Sequence, residues 1–339
     1  MALVAIDDAT LSAFEDEHGV FPRAVVGRLL DRVNAGRPRA IAEDIVFEDA
    51  QSRAGDRALI AAMRRARSRL VVASPDTFIV RDGKVEPGPL LGRERFFEQH
   101  SEIQFGWTGL PNDPGKVIRR AYYEVTPETG ADPGKPFPTL AAETAEVAGV
   151  DPDRLPDGAR RRAIGAQPRS TTWIDYHGGP GTFRAVSARD VLSGRVPPDA
   201  FRDKVVVIGV VESDMDDVHR TSVEEDASMP GPEVHANAIS TMLRGAPLRD
   251  APRIVDLLLI AALGLLPLLA WALPSWPARL AVVLGAALAF VVGAQLLFEA
   301  GRIVAVVAPL FALALATLGI LVVQALQAWT RRRRGRPAT

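Results

Sequence analysis

The chain has 339 residues, 47% of them hydrophobic and 24% charged, with a formal net charge of −1. That balance excludes both a disordered chain and one lying wholly in a membrane. It contains no Cys, which excludes disulfides, thiolate nucleophiles and Cys-based metal sites.

The average hides a split. Residues 1–252 hold 39 acidic and 32 basic residues and net to −7, whereas residues 253–339 hold 2 and 8 and net to +6. A domain with a net negative charge argues against nucleic acid as a partner. The expectation is an acidic, water-facing domain followed by an apolar region with a basic end.

Leu3 to Ile6 is a short apolar strand ending in the double carboxylate Asp7-Asp8. Phe21-Pro22-Arg23 opens a helix, since a proline near a helix start removes an N–H that would be unpaired there anyway. Val25, Leu29, Leu30 and Val33 recur at helical spacing until Gly36 and Pro38 stop the pattern. Arg39 to Phe47 reads as a buried strand, Gly55 to Ala66 as a helix, and Leu70 to Ala73 as a strand closed by Ser74-Pro75. Strand–helix–strand–helix–strand predicts an α/β fold, a mostly parallel sheet with covering helices.

The middle is less regular. Ile103 to Trp107, Val117 to Tyr123 and Thr171 to Tyr176 read as strands, Leu140 to Ala148 as a helix, and residues 149–170 as an exposed excursion. The pattern resumes with a helix over Ser187 to Leu192, a buried strand over Lys204 to Gly209, and a helix over Pro232 to Leu243.

Three apolar segments follow, at about 254–273, 279–298 and 303–325. A membrane-spanning helix needs about 20 apolar residues. The second and third satisfy this readily; the first carries Asp256, Gly264 and Pro267 and is the least regular. The links between them are short, so neighbouring spans run antiparallel, and Trp271, Trp276 and Trp329 fall at the ends, where aromatic belts lie. Arg331 to Arg334 and Arg336 follow the last span. By the positive-inside rule that end is cytoplasmic, and three crossings place the first domain on the far side of the plasma membrane. No charged and apolar export signal opens the chain, so either a preceding membrane helix or the first span itself directs export, and the preceding helix is the favoured expectation.

Several groups offer chemistry. Asp7 and Asp8 end the first strand and Asp44 lies in the next one. Ligands of open parallel sheets bind beyond the carboxyl ends of strands, so these carboxylates could hold a cation or a polar ligand. The plainer role is capping or ion pairing, for instance with Arg23. Glu212 to His219, which includes Asp214, Asp217 and His219, brings four carboxylates and an imidazole into eight residues. It has neither EF-hand nor HExxH spacing, and a polar loop is the plainer reading. Gly178-Gly179-Pro180-Gly181 lacks the Lys-Ser/Thr of a phosphate loop and reads as a turn. His235 and Asn237 lie on the helix after Met229-Pro230-Gly231, where they either face the strand ends or are satisfied within the core. No catalytic set assembles at recognisable spacing, so no enzymatic activity and no cofactor is expected.

VAIDD (4–8), FPRAVVGRLLDRV (21–33), PRAIAEDIVF (38–47), GDRALIAAMRRA (55–66), YHGGPGTFRAVSARDVLSG (176–194), KVVVIGVVESDMDD (204–217) and MPGPEVHANAISTMLRG (229–245) form an ordered set. Together, and followed by three apolar segments, they resemble the second-type CHASE domain, the cyclase- and histidine-kinase-associated sensory extracellular domain of bacterial receptors. The resemblance implies a sensor outside the cytoplasm, flanked by membrane helices. It also implies a cytoplasmic output such as a nucleotide cyclase, a protein kinase or a diguanylate cyclase.

The expected organisation is an extracytoplasmic sensor over 1–250, three membrane helices over 253–328 and a basic cytoplasmic tail over 329–339. The expected partners are the lipid bilayer, a small-molecule or ion ligand and a cytoplasmic signalling output; a homodimer is compatible with this. The expected ligand residues are Asp7, Asp8, Asp44, Asp214, Asp217, His235 and Asn237. Two other functions compete: a membrane-tethered metal-dependent hydrolase using the 212–219 loop, and a structural module of the cell envelope.

Overall fold

The computed structural model describes residues 1–15, 21–47, 51–74, 78–81, 84–87, 102–110, 112–113, 115–125, 136–156, 171–211, 217–223 and 228–334. Expectations for Asp214, for 157–170 of the excursion and for the tail from 335 onward lie outside them. The chain forms two compact units, Met1–Pro247 and Leu248–Thr339.

The first unit is built on a six-stranded sheet of β1 (Ala2–Ile6), β2 (Ala40–Asp44), β3 (Leu70–Ser74), β4 (Gln104–Trp107), β5 (Ala185–Ser187) and β6 (Val205–Val210). The spatial order is β5-β1-β6-β2-β3-β4, and every neighbouring pair is parallel. Parallel sheets are covered on both faces, which is why their strands read as continuous apolar runs. Side chains alternate between faces. Val4, Ile6, Ile41, Leu70, Val72, Val206 and Ile208 belong to one core, and Leu3, Ala40, Ala42, Val71, Val205 and Val207 to the other.

Helices supply the covers. The N-terminal helices are α1 (Asp8–Phe14), α2 (Arg23–Ala35) and α3 (Arg53–Ala66). In α3, Leu59, Ala62, Met63 and Ala66 are buried at helical spacing, and Ser52 Oγ caps the start by accepting from Gly55 N at 3.0 Å. These residues join Leu29, Leu30 and Val33 of α2 over the first face. Helix α4 (Leu140–Val147) is capped by Thr139 Oγ1, which accepts from Ala142 N at 3.2 Å. Helix α4 and α6 (Gly231–Leu243) pack over the second face, and α5 (Ala188–Leu192) follows β5.

Several elements depart from expectation. Strand β2 ends at Asp44 rather than Phe47. The segment Val117 to Tyr123 divides at Arg119 into two strands, whose partners are Val218–Thr221 and Thr171–Trp173. Helix α1 and strand β5 are additions; β5 is only three residues long, too short for a pattern to register. One glycine is dictated by packing. A Cβ on Gly209 would lie 2.3 Å from Pro232 Cγ, so only glycine lets the start of α6 close onto β6.

The second unit holds α7 (Arg253–Ala270), α8 (Trp276–Glu299) and α9 (Val307–Arg334). All three are long and apolar enough to cross a membrane. Helix α7 continues through Gly264 and Pro267. The α7 and α9 helices pack along each other, and large apolar side chains such as Leu269 and Val307 point outward, as suits lipid. Arg249–Asp250 pairs in parallel with Arg302–Ile303. Asp256 Oδ1 accepts from Ala305 N at 2.7 Å, which ties the start of α7 to the approach of α9.

Gly209→Ala is expected to destabilise the protein by about 1–3 kcal/mol through overpacking against Pro232. Urea denaturation followed by circular dichroism checks this, and an unchanged midpoint contradicts it.

Candidate functional site

The carboxyl ends of β1, β6 and β2 lie along one edge of the sheet, with β6 between the other two. Asp7 follows the end of β1 and is the N-cap of α1. Its Oδ1 accepts from Thr10 N at 2.9 Å, from Thr10 Oγ1 at 2.5 Å and from Ser187 Oγ at 3.0 Å. Burial works to raise its pKa, but these hydrogen bonds prevail and hold the carboxyl below its ordinary range. Asp8 sits exposed in the first helical turn, where negative charge suits the helix dipole. Arg23 pairs instead with Asp56 of α3, at 2.7 Å.

Two strand spacings away, about 10 Å, β2 ends in two adjacent carboxyls that alternate across the sheet. Glu43 is 0% exposed, and neither of its oxygens has a hydrogen-bond partner. Burial pushes its pKa up to about 8, so at neutral pH it is mostly a carboxylic acid. Asp44 is on the opposite face, with its side chain 9% exposed and Oδ2 3.9 Å from His235 Nε2. That separation is too long for a hydrogen bond. Burial also raises the Asp44 pKa; His235 and His219 oppose the rise, while Asp217 adds to it.

Asp217 and His219 close this group. Asp217 Oδ1 lies 2.8 Å from His219 Nε2, and that hydrogen bond holds the Asp217 carboxyl below its ordinary range. The Asp217 carbonyl accepts from Gly231 N at 3.0 Å. A Cβ on Gly231 would lie 2.3 Å from Asp217 Oδ2, so the carboxylate rests directly against the start of α6. Negative charge is favourable there. Asp44, Asp217, His219 and His235 therefore share one neighbourhood. Among the described residues, no group of three or more His, Asp or Glu is arranged to hold a metal ion.

Asn237 belongs to a different network. It is fully buried; its Oδ1 accepts from His177 N at 3.1 Å and its Nδ2 donates to the Glu233 carbonyl at 3.0 Å. Glu233 accepts from Gly181 N at 2.9 Å and Phe183 N at 3.1 Å, which pins the glycine-rich turn. Ser240 Oγ and His177 Nε2 are 2.8 Å apart, and Thr241 Oγ1 accepts from Asp175 N at 3.0 Å. A buried polar stripe on α6 thus fixes the segment from Asp175 to Phe183. Burial leads in lowering the His177 pKa, reinforced by the Arg244 charge, so its ring favours the neutral form.

Of the expected ligand residues, the structure brings Asp44, Asp217 and His235 together. It places Asp7 in a cap, Asp8 at a helix start and Asn237 in the α6 stripe. The sequence reading passed over Glu43, whose only signal was a charge inside the apolar run RAIAEDIVF. It also passed over Glu233, for which E-x₃-N-x₂-S-T on an apolar helix was the available sign.

A family model described as the CHASE2 domain matches residues 1–273. No curated protein and no solved structure matches the chain.

Two outcomes follow from this geometry. Because the folded pKa of Glu43 is raised, its contribution to stability is complete below about pH 4.5 and is lost as pH rises toward about 8. The slope is at most about 1.4 kcal/mol per pH unit. Glu43→Gln removes that slope, so the difference between variant and parent in denaturation midpoints should grow from acid to alkaline pH; a constant difference contradicts it. Asn237→Ala removes the buried acceptor of the His177 N–H and should cost about 1–3 kcal/mol, measured in the same way.

Proposed function

Because this chain belongs to the CHASE2 domain family, a family of sensory extracellular domains, we propose that it is the membrane-bound sensor of a signal-transduction receptor. The α/β unit faces the extracytoplasmic side, three helices cross the plasma membrane, and the end of α9 lies in the cytoplasm. A stimulus bound at the carboxyl ends of β2 and β6, beside Asp44, Asp217 and His235, shifts the unit between two states. The membrane helices carry that shift to a cytoplasmic output domain or partner. A ligand acts in this way by favouring one state over the other.

One observation carries this reading. The family match covers residues 1–273, from the α/β unit through the first apolar helix, which supports a sensor continuous with its membrane entry. The arginine run at 331–334 supports the orientation through the positive-inside rule. The chain's role is thus binding and relay rather than turnover.

The absence of native Cys makes the topology directly testable. With single Val218→Cys and Arg331→Cys variants in intact cells, a membrane-impermeant maleimide should label the first without treatment. It should label the second only after permeabilisation. The reverse pattern overturns the orientation.

A further inference from the structure

Taking the sensor reading as its basis, we propose that the stimulus read at this strand end is the proton, bound by Asp44 in competition with the charge of Asp217. The carboxyl of Asp44 and the ring of His235 are 9% and 5% exposed, lie 3.9 Å apart, and have no hydrogen bond to each other. Asp217, in contrast, is 50% exposed and rests against the start of α6. The backbone beside the site is tightly packed: a Cβ on Gly209 would lie 2.3 Å from Pro232 Cγ, and one on Gly231 2.3 Å from Asp217 Oδ2.

Among the described residues, four elements bring charged or titratable groups near Asp44 and Glu43. Helix α6 offers His235 and also Glu233, which is engaged with Gly181 and Phe183. The strand Val218–Thr221 and the residue before it offer His219 and Asp217. Strand β6 offers only Gly209 at the matching register. On the opposite face, the nearby charges of α2 and α3, Arg23 and Asp56, are paired with each other. Burial raises the pKa of Glu43, and among the described residues no charge counters it.

With its proton in place Asp44 is neutral, and Asp217 rests docked against the start of α6. As pH rises, Asp44 releases its proton to water. Its carboxylate and that of Asp217 then repel each other, in surroundings where charges are poorly screened. Asp44 is fixed in the core and Thr221 is buried, so the exposed end at Asp217 and Val218 is the part that moves. The protonated state is docked and the deprotonated state released. The neighbouring Glu43 reinforces this direction, because it too holds its proton in the folded state.

The test uses the full chain in lipid nanodiscs with a nitroxide on Val218→Cys, a site 44% exposed, scanned from about pH 5 to about pH 9. The mobile spectral fraction should rise several-fold with pH. Asp44→Asn and Asp217→Asn, each confirmed as folded by circular dichroism, should abolish the rise, since either removes one of the opposed charges. A flat curve in the parent, or the same curve in both variants, overturns the proposal. So does a transition that a chelator abolishes and Zn²⁺ restores, which would make a metal the ligand. A second label on Arg331→Cys separates the two readings. If the Val218 label responds and this one does not, the proton site stands and the sensor reading falls. If the Val218 label is flat while the topology labelling holds, the proton site falls and the sensor reading stands.

Discussion

The insertion of β6 between β1 and β2 is the constraint on which the rest of the first unit depends. Residues 205–210 pair with residues 2–6 on one side and 40–44 on the other, so strands from opposite ends of the unit meet at its centre. Without β6, β1 and β2 would each expose a row of unpaired backbone groups within the core, which is costly. With it, all strand ends fall on one edge and Gly209 comes into register with Asp44. The close approach of α6 follows from the bare backbone at that glycine.

Helix α6 then organises the polar half of the unit. In its buried stripe, Glu233, Asn237 and Thr241 accept from the backbone of the irregular segment Asp175 to Phe183, and Ser240 bonds the His177 ring. The start of the same helix receives Asp217, while His235, two residues from Asn237, faces Asp44. One helix thus carries a hydrogen-bonded network and, at His235, an imidazole 3.9 Å from a buried carboxyl. The contrast separates support from response. The first network has its donors and acceptors matched, whereas Glu43 and the Asp44–His235 gap do not.

The second unit has its own fastening. The stretch that enters α7 is hydrogen-bonded to the turn before α9, through Arg249 N to Gly301 O at 2.9 Å and Ala251 N to Ile303 O at 2.8 Å. Asp256, the acidic residue that made this span look irregular in the sequence, accepts from Ala305 N. A carboxylate near the end of a membrane helix is costly unless it has a donor, and here a backbone N–H supplies one. The residues preceding α7 are therefore fastened to the approach to α9, the helix that leads to the arginine run.

The sequence by itself determined the parallel α/β class, the three apolar helices and the family resemblance. Each rests on local periodicity or on run length, which survive without tertiary contacts: Leu29, Leu30 and Val33 at helical spacing, or 24 residues of apolar helix from Trp276. It also marked Asp44, Asp217 and His235 as residues of interest. It could not distinguish them from Asp7 and Asn237, which turn out to be a helix cap and a core hydrogen-bond bridge. That distinction depends on partners such as Ser187 and His177, which lie 180 residues along the chain from Asp7 and 60 from Asn237. Only the tertiary structure decided that Glu43 is sealed among apolar side chains without a partner. The ionisation of a carboxyl depends on the solvent and charges that folding brings around it, and a strand pattern shows only which face it is on.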